Sequence, residues 1–385
     1  MKIAKKYKLD YTRYADDLTF STNNKAFLDE QELFLKKLSR EVESAGFLIN
    51  NKKSRLQYKD SKQKVTGLVV NKKVSVDREY CRITKAMAHT LYTKGSFIID
   101  RQEGTLKQLE GRFAFINQLD KYDNSLEYKA KHRNFHSLNG REKQYQKFLF
   151  YKYFCANEKP LLITEGKTDV TYLKAALKNL HLEYPYLISK EDDSEFKFNI
   201  SFLRRTKRLR YFFNLSLDGA DTMEQFYKNF FTLSGNGNHS DYPSIFNRIC
   251  PYHTNKPVIF IFDNELATKN KPLKKFADSL NLDKDKRAKL QRELKLKLAD
   301  NLWLVTNNLI AGKEVCEIED LFTRETLEHE IDGRSFSHIE KTGSSGYSKE
   351  DFAQYIAKNY KNIDFSGFKC IFNEINEVIQ PSLEI

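Results

Sequence analysis

The sequence lacks paired cysteines, long apolar runs and clustered histidines. Its five cysteines are scattered and never form a Cys-x-x-Cys pair, which argues for reduced thiols in a cytosol and against a structural zinc site. No apolar run approaches the roughly 20 residues of a membrane-spanning helix, and the basic N-terminus has no apolar stretch of the signal-peptide kind. The eight histidines show no metal-ligand spacing, and no serine or cysteine triad pattern is present. We therefore expect a cytoplasmic protein without membrane contact.

Positive charge is concentrated in the first part of the chain. The 385 residues suffice for two or three domains, and 40% of them are hydrophobic, as in globular proteins. Residues 1–150 contain 31 Lys and Arg against 18 Asp and Glu, whereas residues 151–385 contain 34 of each, so the whole net charge of +13 lies in the first segment. This distribution favours binding of the first segment to a nucleic-acid backbone, the alternative being an unspecific basic surface.

The first acidic motif is Tyr14-Ala15-Asp16-Asp17. Residues 11–21 predict a β-hairpin with both aspartates at its turn. Residues 27–45 predict an amphipathic helix that ends at Gly46, and its predicted apolar face consists of Leu28, Leu35, Leu38, Val42 and Ala45. Strands are predicted at 47–49 and 65–70, and a mostly helical region from 77 to about 154. Adjacent carboxylates at a turn repel each other until a cation is bound, so they can hold the magnesium ions of nucleotidyl transfer. A plain solvated turn is the alternative.

In this context the motif resembles the palm of reverse transcriptases. Gly46-Phe47 and the stretch 50–52 follow the helix, and Val65-Thr66-Gly67-Leu68 is similar to the strand that grips the primer terminus in retron-type enzymes. The resemblance implies that residues 1–76 are the C-terminal part of the palm and that residues 77–155 are a helical thumb. It implies catalytic and metal-binding roles for Asp16 and Asp17. It also implies nucleic-acid contacts for Lys52, Lys53, Thr66 and Gly67.

One part of that family's pattern is missing. These polymerases need a third carboxylate on a strand well upstream, together with fingers that bind the incoming nucleotide, and only 13 residues precede Tyr14. We therefore expect that the chain by itself does not polymerise DNA. A fragment, a product of a downstream start and one part of a split enzyme are all compatible with the sequence.

The second acidic motif follows two predicted buried strands. The run 161–164 leads into Glu165-Gly166-Lys167-Thr168-Asp169, and the run 258–262 leads into Asp263-Asn264-Glu265. With a third apolar run at 302–305 and helices between, the pattern predicts an α/β doubly wound, mostly parallel sheet that binds ligands at its carboxyl strand ends. Residues 165–169 alone are equally typical of a capped helix N-terminus. Residues 186–256 are predicted as an insertion.

The two stretches together resemble the Toprim fold of topoisomerases, bacterial primases and overcoming-lysogenization-defect (OLD) type nucleases. The resemblance implies that residues 156–385 form a Toprim domain, with Glu165 as general acid or base. It implies metal ligands at Asp169, Asp263 and Glu265, although Asp-Asn-Glu here replaces the commoner Asp-x-Asp. Magnesium is the implied cofactor, with manganese as an alternative.

Further residues are implied by an OLD-like extension at 317–322. They are Glu319 as a metal ligand and Lys349, or alternatively Lys341, as a group that stabilises charge on the scissile phosphate. Each of these three could instead be an ordinary surface residue. A primase would usually bring a zinc module, and a topoisomerase needs strand-passage machinery for which there is no room, so the pattern favours a nuclease.

A retron-type reverse transcriptase fused to a Toprim domain resembles one class of antiphage retron systems. In such systems the polymerase copies a noncoding RNA into a branched DNA–RNA molecule and stays bound to it, which keeps an attached effector inactive. The resemblance implies those two partners, a nucleic-acid substrate for the Toprim domain, and a toxic nuclease as the effector. Two alternatives stay open: a non-catalytic nucleic-acid-binding scaffold, and a Toprim domain that processes the retron's own nucleic acid. An oligomer is compatible with the sequence.

Overall fold

The protein forms two compact units, each with its own buried core. The first unit comprises Met1–Ala86 and Gly111–His132, and the second comprises Met87–Glu110 and Arg133–Ile385. The computed structural model describes residues 2–126, 138–190, 195–215, 221–231, 241–250, 256–299, 301–310, 312–330, 334–336 and 346–382. No helix within these ranges is long and apolar enough to cross a membrane.

The first unit begins with a short helix, a β-hairpin and a longer helix. They are α1 (Lys2–Lys6), β1 (Asp10–Tyr14), β2 (Asp17–Ser21) and α2 (Phe27–Ser44). Strands β1 and β2 pair antiparallel with Tyr14 opposite Asp17, so Ala15 and Asp16 form the turn. The predicted hairpin and helix are confirmed, but of the two aspartates predicted in the turn only Asp16 lies there, since Asp17 pairs with Tyr14. The helix stop at Gly46 is confirmed, and its φ of +83° suits glycine.

The face that α2 buries matches the predicted one only in part: of the predicted residues, Leu38 is buried and Val42 is half-buried against the same core. Phe34 and Leu38 are buried, whereas Leu28 and Leu35 are 40% and 41% exposed. Three aromatic rings pack edge to face against Phe34: Tyr7, Phe20 and Phe27. Aromatic side chains bury more apolar area than leucines, so their packing sets the rotation of the helix.

The predictions of two strands after α2 are wrong. Residues 47–49 form no strand, and Leu48 is 85% exposed. Residues 64–69 form a short hairpin, β3 (Lys64–Val65) and β4 (Leu68–Val69), instead of one strand. Thr66 and Gly67 make its turn with φ of +47° and +83°, and two successive positive φ values are typical of tight hairpin turns.

The region from 77 to about 154, which was predicted to be mostly helical, is mostly helical in its described residues. It contains α3 (Arg78–Lys94), β5 (Ile98–Ile99), β6 (Gln102–Glu103), α4 (Leu106–Leu126) and α5 (Gly140–Phe150). A π-helical turn, Tyr151–Cys155, continues α5. Asn139 caps α5, because its side chain accepts hydrogen bonds from the amides of Arg141 and Glu142, both 2.9 Å.

The remainder of the second unit is built from short strands and helices. The strands are β7 (Leu161–Thr164), β8 (Ile188–Ser189), β9 (Lys197–Phe198), β10 (Ser201–Phe202), β11 (Val258–Phe262), β12 (Lys295–Lys297), β13 (Leu302–Thr306), β14 (Ser335–Phe336) and β15 (Gly346–Tyr347). The helices are α6 (Lys167–Asn179), α7 (Lys207–Phe213), α8 (Asp221–Phe231), α9 (Tyr242–Ile249), α10 (Pro272–Ser279), α11 (Lys284–Glu293), α12 (Arg324–Leu327), α13 (Lys349–Asn359) and α14 (Lys369–Ile379).

Five of these strands form one sheet in the order β10-β7-β11-β13-β12. The first four run parallel, and β12 pairs antiparallel with β13 at the edge. The three apolar runs singled out in the sequence are the three central strands, so the predicted mostly parallel sheet is confirmed. Since β7 and β11 are parallel neighbours, the residues that follow them lie at the same edge of the sheet.

Helices cover both faces of this sheet. Alternate residues of a strand point to opposite faces, and on β11 Phe260 and Phe262 pack against Phe276 of α10. Ile259 and Ile261 belong instead to the core that α6, α13 and α14 build on the other face. Helices that contact opposite faces of one mostly parallel sheet are a mixed α/β arrangement.

The described part of the predicted insertion belongs to the sheet and its core. Strand β10 pairs with β7 as the edge strand, and Phe226 of α8 contacts Phe260 of β11. Helix α5, within the predicted thumb, lies in the same unit: the side-chain amide of Gln146 donates to the carbonyl of Phe212 at 2.7 Å and accepts from the hydroxyl of Tyr242 at 2.8 Å. The residues 234–240 within this segment lie outside the described ranges.

Candidate active site

The ends of β7 and β11 bring the second acidic motif together. Glu165 directly follows β7 and Asp263 directly follows β11. The backbone amide of Asp263 donates a hydrogen bond of 3.0 Å to the Glu165 carboxylate. Two residues 98 positions apart therefore meet at the carboxyl edge of the sheet, where ligands of doubly wound folds bind.

Gly166 and Asp169 form the start of α6. The Asp169 carboxylate accepts a 2.8 Å hydrogen bond from the Gly166 amide, which is the arrangement of a helix cap. A Cβ on Gly166 would lie 2.9 Å from the Asp169 carboxylate, so a larger residue here would displace that side chain from its capping position. The capped helix N-terminus, which residues 165–169 alone also predict, is therefore present. It places Asp169 beside Glu165 at the sheet edge.

The Asp-Asn-Glu sequence after β11 is tied to the neighbouring strand end. Asn264 is buried, and its side chain donates to the carbonyl of Asn307, just past β13, at 2.8 Å. The side-chain oxygen of Asn307 accepts a 2.8 Å hydrogen bond from the backbone amide of Asn264. The side-chain nitrogen of Asn307 donates to the carbonyl of Cys316 at 2.8 Å. These two asparagines hold the ends of β11 and β13 to the segment that carries Glu319. The sequence signal for them is an amide residue next to an apolar strand, which is too common to have identified them.

Asp263 and Glu265 point to different partners. One oxygen of Asp263 accepts a 2.8 Å hydrogen bond from the amide of Ile318. Glu265 is only 3% exposed, and its Oε1 lies 2.6 Å from Nζ of Lys271. Lys271 was not singled out in the sequence, because it is one of many lysines between 269 and 297.

Glu319 and Lys349 form a second buried contact at this edge. Glu319 is 1% exposed, and its Oε1 lies 3.0 Å from Nζ of Lys349, the first residue of α13. The same ammonium group lies 3.4 Å from an oxygen of Glu317. Sequence analysis named both Glu319 and Lys349, and the structure brings them together. Lys341, the alternative to Lys349, lies outside the described residues.

The carboxyl groups repel one another. Burial raises the pKa of Glu165 to about 8; the hydrogen bond from Asp263 opposes this rise, and the charges of Asp169 and Glu265 add to it. Burial, followed by repulsion from Glu165 and Asp169, raises the pKa of Asp263 well above its ordinary value. The pKa values of Asp169 and Glu319 are also raised by burial, although Lys349 opposes both shifts. These buried carboxyl groups therefore hold their protons to higher pH than free carboxyl groups do.

The residue types fit a magnesium site better than their arrangement does. Carboxylate oxygens are the ligands that Mg²⁺ prefers, and mutual repulsion is relieved when a cation binds. Within the described ranges, however, no three Asp, Glu, His or Cys side chains are grouped so that they could hold a metal ion. Cation binding here would require the carboxylates to turn toward one another, above all Glu265 and Glu319, which face lysines.

Arg205 is a further basic group near this edge that sequence analysis did not assign to the site. Its guanidinium donates to the carbonyl of Thr164, the last residue of β7. Its positive charge lowers the pKa of Glu165, in part offsetting the effect of burial. The basic run at 204–210 was the only sequence signal for it.

The first acidic motif lies on the surface of the first unit. Asp16 occupies the hairpin turn and Asp17 opens β2; both are exposed, and Tyr14 is 70% exposed. Ala15 has a φ of +48°, and its carbonyl accepts a 2.7 Å hydrogen bond from Arg13. The four residues expected to contact nucleic acid are exposed as well: Lys52, Lys53, Thr66 and Gly67.

Comparison with known proteins bears on part of the chain. The chain is 38% identical over 118 residues to the retron Mx65 reverse transcriptase of Myxococcus xanthus, a match that covers 31% of this chain and 26% of that protein. It is 34% identical over 131 residues to the retron Mx162 reverse transcriptase of the same organism, again 31% of this chain and 26% of the relative. The retron Ec86 reverse transcriptase of Escherichia coli is 36% identical over 99 residues, 26% of this chain and 30% of that protein.

These matches show that a part of the chain is similar to retron reverse transcriptases. The chain spans less than a third of the length of these relatives. No family model matches it.

Proposed function

We propose that residues 1–155 are the C-terminal part of the palm and the thumb of a retron-type reverse transcriptase. The similarity to three retron reverse transcriptases carries this proposal. The exposed Asp16, in the turn of a tight hairpin, and Asp17, at the start of its second strand, support it, because carboxylates held at a hairpin tip are suited to binding the metal ions of nucleotidyl transfer. With fingers and an upstream palm segment, the enzyme makes DNA on an RNA template.

The partners of this part are a retron noncoding RNA and the branched DNA–RNA product. The net charge of +13 in residues 1–150 supports a role in gripping their phosphates. Binding of a structured RNA to the chain, measured as a function of salt, tests this role. Salt-insensitive binding would contradict it.

We further propose that residues 156–385 are a Toprim domain that cleaves phosphodiester bonds with the help of magnesium or manganese. The contact between Glu165 and Asp263 at the carboxyl edge of a parallel sheet carries this proposal. Asp169, Asp263, Glu265 and Glu319 are the residues that would hold the ion. When bound, the ion supplies Lewis-acid activation of the phosphoester and of a water molecule.

The residues of the chain have distinct roles in this proposal. Glu165, whose pKa burial raises to about 8 in the metal-free protein, is placed to exchange a proton with the attacking water or the leaving oxygen. Lys349, whose ammonium group reaches the same edge, stabilises the negative charge of the scissile phosphate. In cells the domain is the toxic effector of an antiphage system, and the bound branched DNA–RNA keeps it inactive.

A metal-dependent cleavage assay tests the Toprim proposal. The purified chain is incubated with single- and double-stranded DNA and RNA in the presence of Mg²⁺ or Mn²⁺, with chelated samples as controls. Cleavage that requires the metal supports the proposal. Preferential cleavage of the retron's own RNA or branched DNA would favour a processing enzyme over a toxic effector.

A non-catalytic scaffold is the second candidate for this domain. Two observations favour it: the described residues contain no ready-made set of metal ligands, and lysines neutralise Glu265 and Glu319. If the domain is a scaffold, we expect it to bind nucleic acid and to show no metal-dependent cleavage of any substrate in the assay.

A further inference from the structure

One face of α6 carries two lysines that lie over aromatic rings. The Nζ of Lys174 lies 5.8 Å from the ring centroid of Phe198 and 5.3 Å from that of Phe202. One turn further along the helix, the Nζ of Lys178 lies 5.8 Å and 5.5 Å from two other ring centroids, those of Phe196 and Tyr360. A cation at such a distance from a ring is attracted to it. The rings therefore hold both ammonium groups in place.

A third cation lies beside these lysines. Arg204, which is exposed, is close enough for its charge and that of Lys178 to lower the pKa of Lys174, although burial has the larger effect. Within the described ranges, none of the three side chains forms an ion pair with a carboxylate. An aromatic ring holds a cation without cancelling its charge. Together the three residues form a basic face whose positive charge is unbalanced.

The basic face adjoins the acidic edge of the sheet. Strand β10 runs parallel to β7, and the amide of Leu203 donates to the carbonyl of Leu162 at 2.9 Å. The residues after β10 therefore lie at the same carboxyl edge as Glu165. Arg205 contacts the end of β7 there, and its charge acts on Glu165. Positive charge thus extends from the candidate catalytic residue, through Arg204, to the lysines of α6.

The phosphates of a nucleic-acid strand fit this face. Proteins that bind single strands without reading their sequence combine positively charged grooves with aromatic side chains. The rise of an α-helix places Lys178 about 6 Å beyond Lys174 along the axis, so their ammonium groups can meet different phosphates. A nucleic acid is favoured over an acidic protein segment because the face continues to the edge at which a phosphodiester would be cut.

We propose that the basic face binds the phosphate backbone of a nucleic-acid strand and leads the strand to the acidic edge of the sheet. The inference rests on the proposed function only in taking this strand to be the substrate of the Toprim domain. The contact itself needs no metal ion, since the cations of the face belong to the chain.

Binding of a labelled oligothymidylate in EDTA, followed by fluorescence anisotropy at several salt concentrations, tests this inference. The full chain is compared with the double variant Lys174→Gln, Lys178→Gln. Each phosphate contact on a single strand contributes about 0.7 to the slope of log affinity against log salt, so the slope should fall by about 1.4. The control replaces Lys284 and Lys286, two exposed lysines of α11, by glutamine and should leave the slope unchanged.

Two further variants separate the loss of charge from a change in packing. Lys174→Arg with Lys178→Arg keeps both charges and their attraction to the rings, so its slope should equal that of the unaltered chain. Arg204→Gln alters an exposed side chain and should lower the slope by about 0.7 without affecting the fold. An unchanged slope in Arg204→Gln and in the double glutamine variant would refute the inference. A double arginine variant with the reduced slope would contradict a role for charge.

Crosslinking locates the contact, because the basic first segment is also expected to bind the strand. An oligothymidylate that contains photoreactive thiothymidine is irradiated with the full chain in EDTA, and the crosslinked peptides are identified by mass spectrometry. We expect crosslinks within residues 167–179 or 196–204, and their loss in the double glutamine variant. Crosslinks confined to residues 1–155 would refute the inference. Equal displacement by polyglutamate of matched charge would refute the choice of nucleic acid.

The outcomes distinguish this inference from the proposed function. If the basic face binds the strand and no substrate is cut after Mg²⁺ or Mn²⁺ is added, the binding surface stands and the nuclease is refuted. If metal-dependent cleavage is found while slopes and crosslinks show no contact with the basic face, the nuclease stands and this inference is refuted.

Discussion

The backbone amide of Asp263 donates a 3.0 Å hydrogen bond to the carboxylate of Glu165, which joins the ends of two parallel strands. The bond opposes the effect of burial on Glu165 but does not cancel it, so its pKa stays near 8. A carboxyl group with such a pKa exists in both protonation states near neutral pH, which is the property that general acid–base catalysis requires.

Glu165→Gln should abolish cleavage while nucleic-acid binding persists. The glutamine carbonyl can still accept from the amide of Asp263, so the local structure is kept, but no proton can be exchanged. We expect the cleavage rate to fall by roughly a hundredfold or more, the usual contribution of a general acid or base. Single-turnover cleavage and a binding titration measure the two effects. Glu377→Gln, on the exposed surface of α14, is the control, and an unchanged rate in Glu165→Gln would refute the catalytic role.

The raised pKa of Glu165 predicts how stability depends on pH in the chelated protein. Below its ordinary pKa of 4.5 the group is protonated in both folded and unfolded chains. Between 4.5 and about 8 the unfolded chain loses the proton and the folded one keeps it, so stability falls as pH rises through this window. Thermal unfolding in EDTA from pH 5 to 8 measures this effect. Glu165→Gln should show a shallower decline than Glu377→Gln, and parallel curves would contradict the raised pKa.

The strands that position the candidate site and one of its cations, Lys349, could be predicted from the sequence, whereas Lys271 and Arg205 could not. Runs of consecutive apolar residues such as 258–262 are fully buried central strands, and acidic residues after two of them meet because parallel strands end at one edge. Lys271 is different. It is one lysine in a lysine-rich stretch, and only the packing of α10 on β11 determines that it faces Glu265.

The strand predictions at 47–49 and 65–70 are wrong for two different reasons. Residues 47–49 favour a strand by composition, but no neighbouring strand pairs with them within the described residues, and Leu48 stays exposed. Strand propensity is weak without such a partner. The single strand predicted at 65–70 is broken because Thr66 and Gly67 both adopt positive φ, a turn that local hydrophobicity does not encode.

Asp263→Asn should eliminate metal-dependent cleavage and stabilise the chelated protein. The asparagine oxygen can still accept from the amide of Ile318. Loss of the charge removes a proposed metal ligand, and the rate should fall by roughly a thousandfold, as several kcal/mol of charge stabilisation are lost. Without metal, the same change relieves repulsion with Glu165 and Asp169, so the melting temperature at pH 8 in EDTA should rise. A lower melting temperature would show that the repulsion is already balanced.

Binding of structured RNA should depend on the basic first segment. Replacing both Lys52 and Lys53 by alanine removes two exposed charges and should reduce the slope of log affinity against log salt by about one to two units. The matched control replaces Lys284 and Lys286, two exposed lysines of α11, and should leave the slope unchanged. Fluorescence anisotropy at several salt concentrations measures both. Equal losses in the two double variants would indicate unspecific charge attraction.

The hairpin aspartates should be needed for DNA synthesis but not for RNA binding. Asp16 lies at the turn and Asp17 opens the second strand, so both residues lie at one end of the hairpin. Asp10 lies at the other end, opposite Ser21, and provides a matched control on the same element.

We expect the chain alone to extend no primer. The chain supplied with reverse-transcriptase fingers and an upstream palm segment should extend a primer on an RNA template with Mg²⁺. Asp16→Asn or Asp17→Asn should reduce this synthesis to background, because metal-ion stabilisation of the transferred phosphate is lost. Asp10→Asn should synthesise DNA normally. Extension by the Asp17→Asn enzyme at the unaltered rate would refute the proposed role of the hairpin.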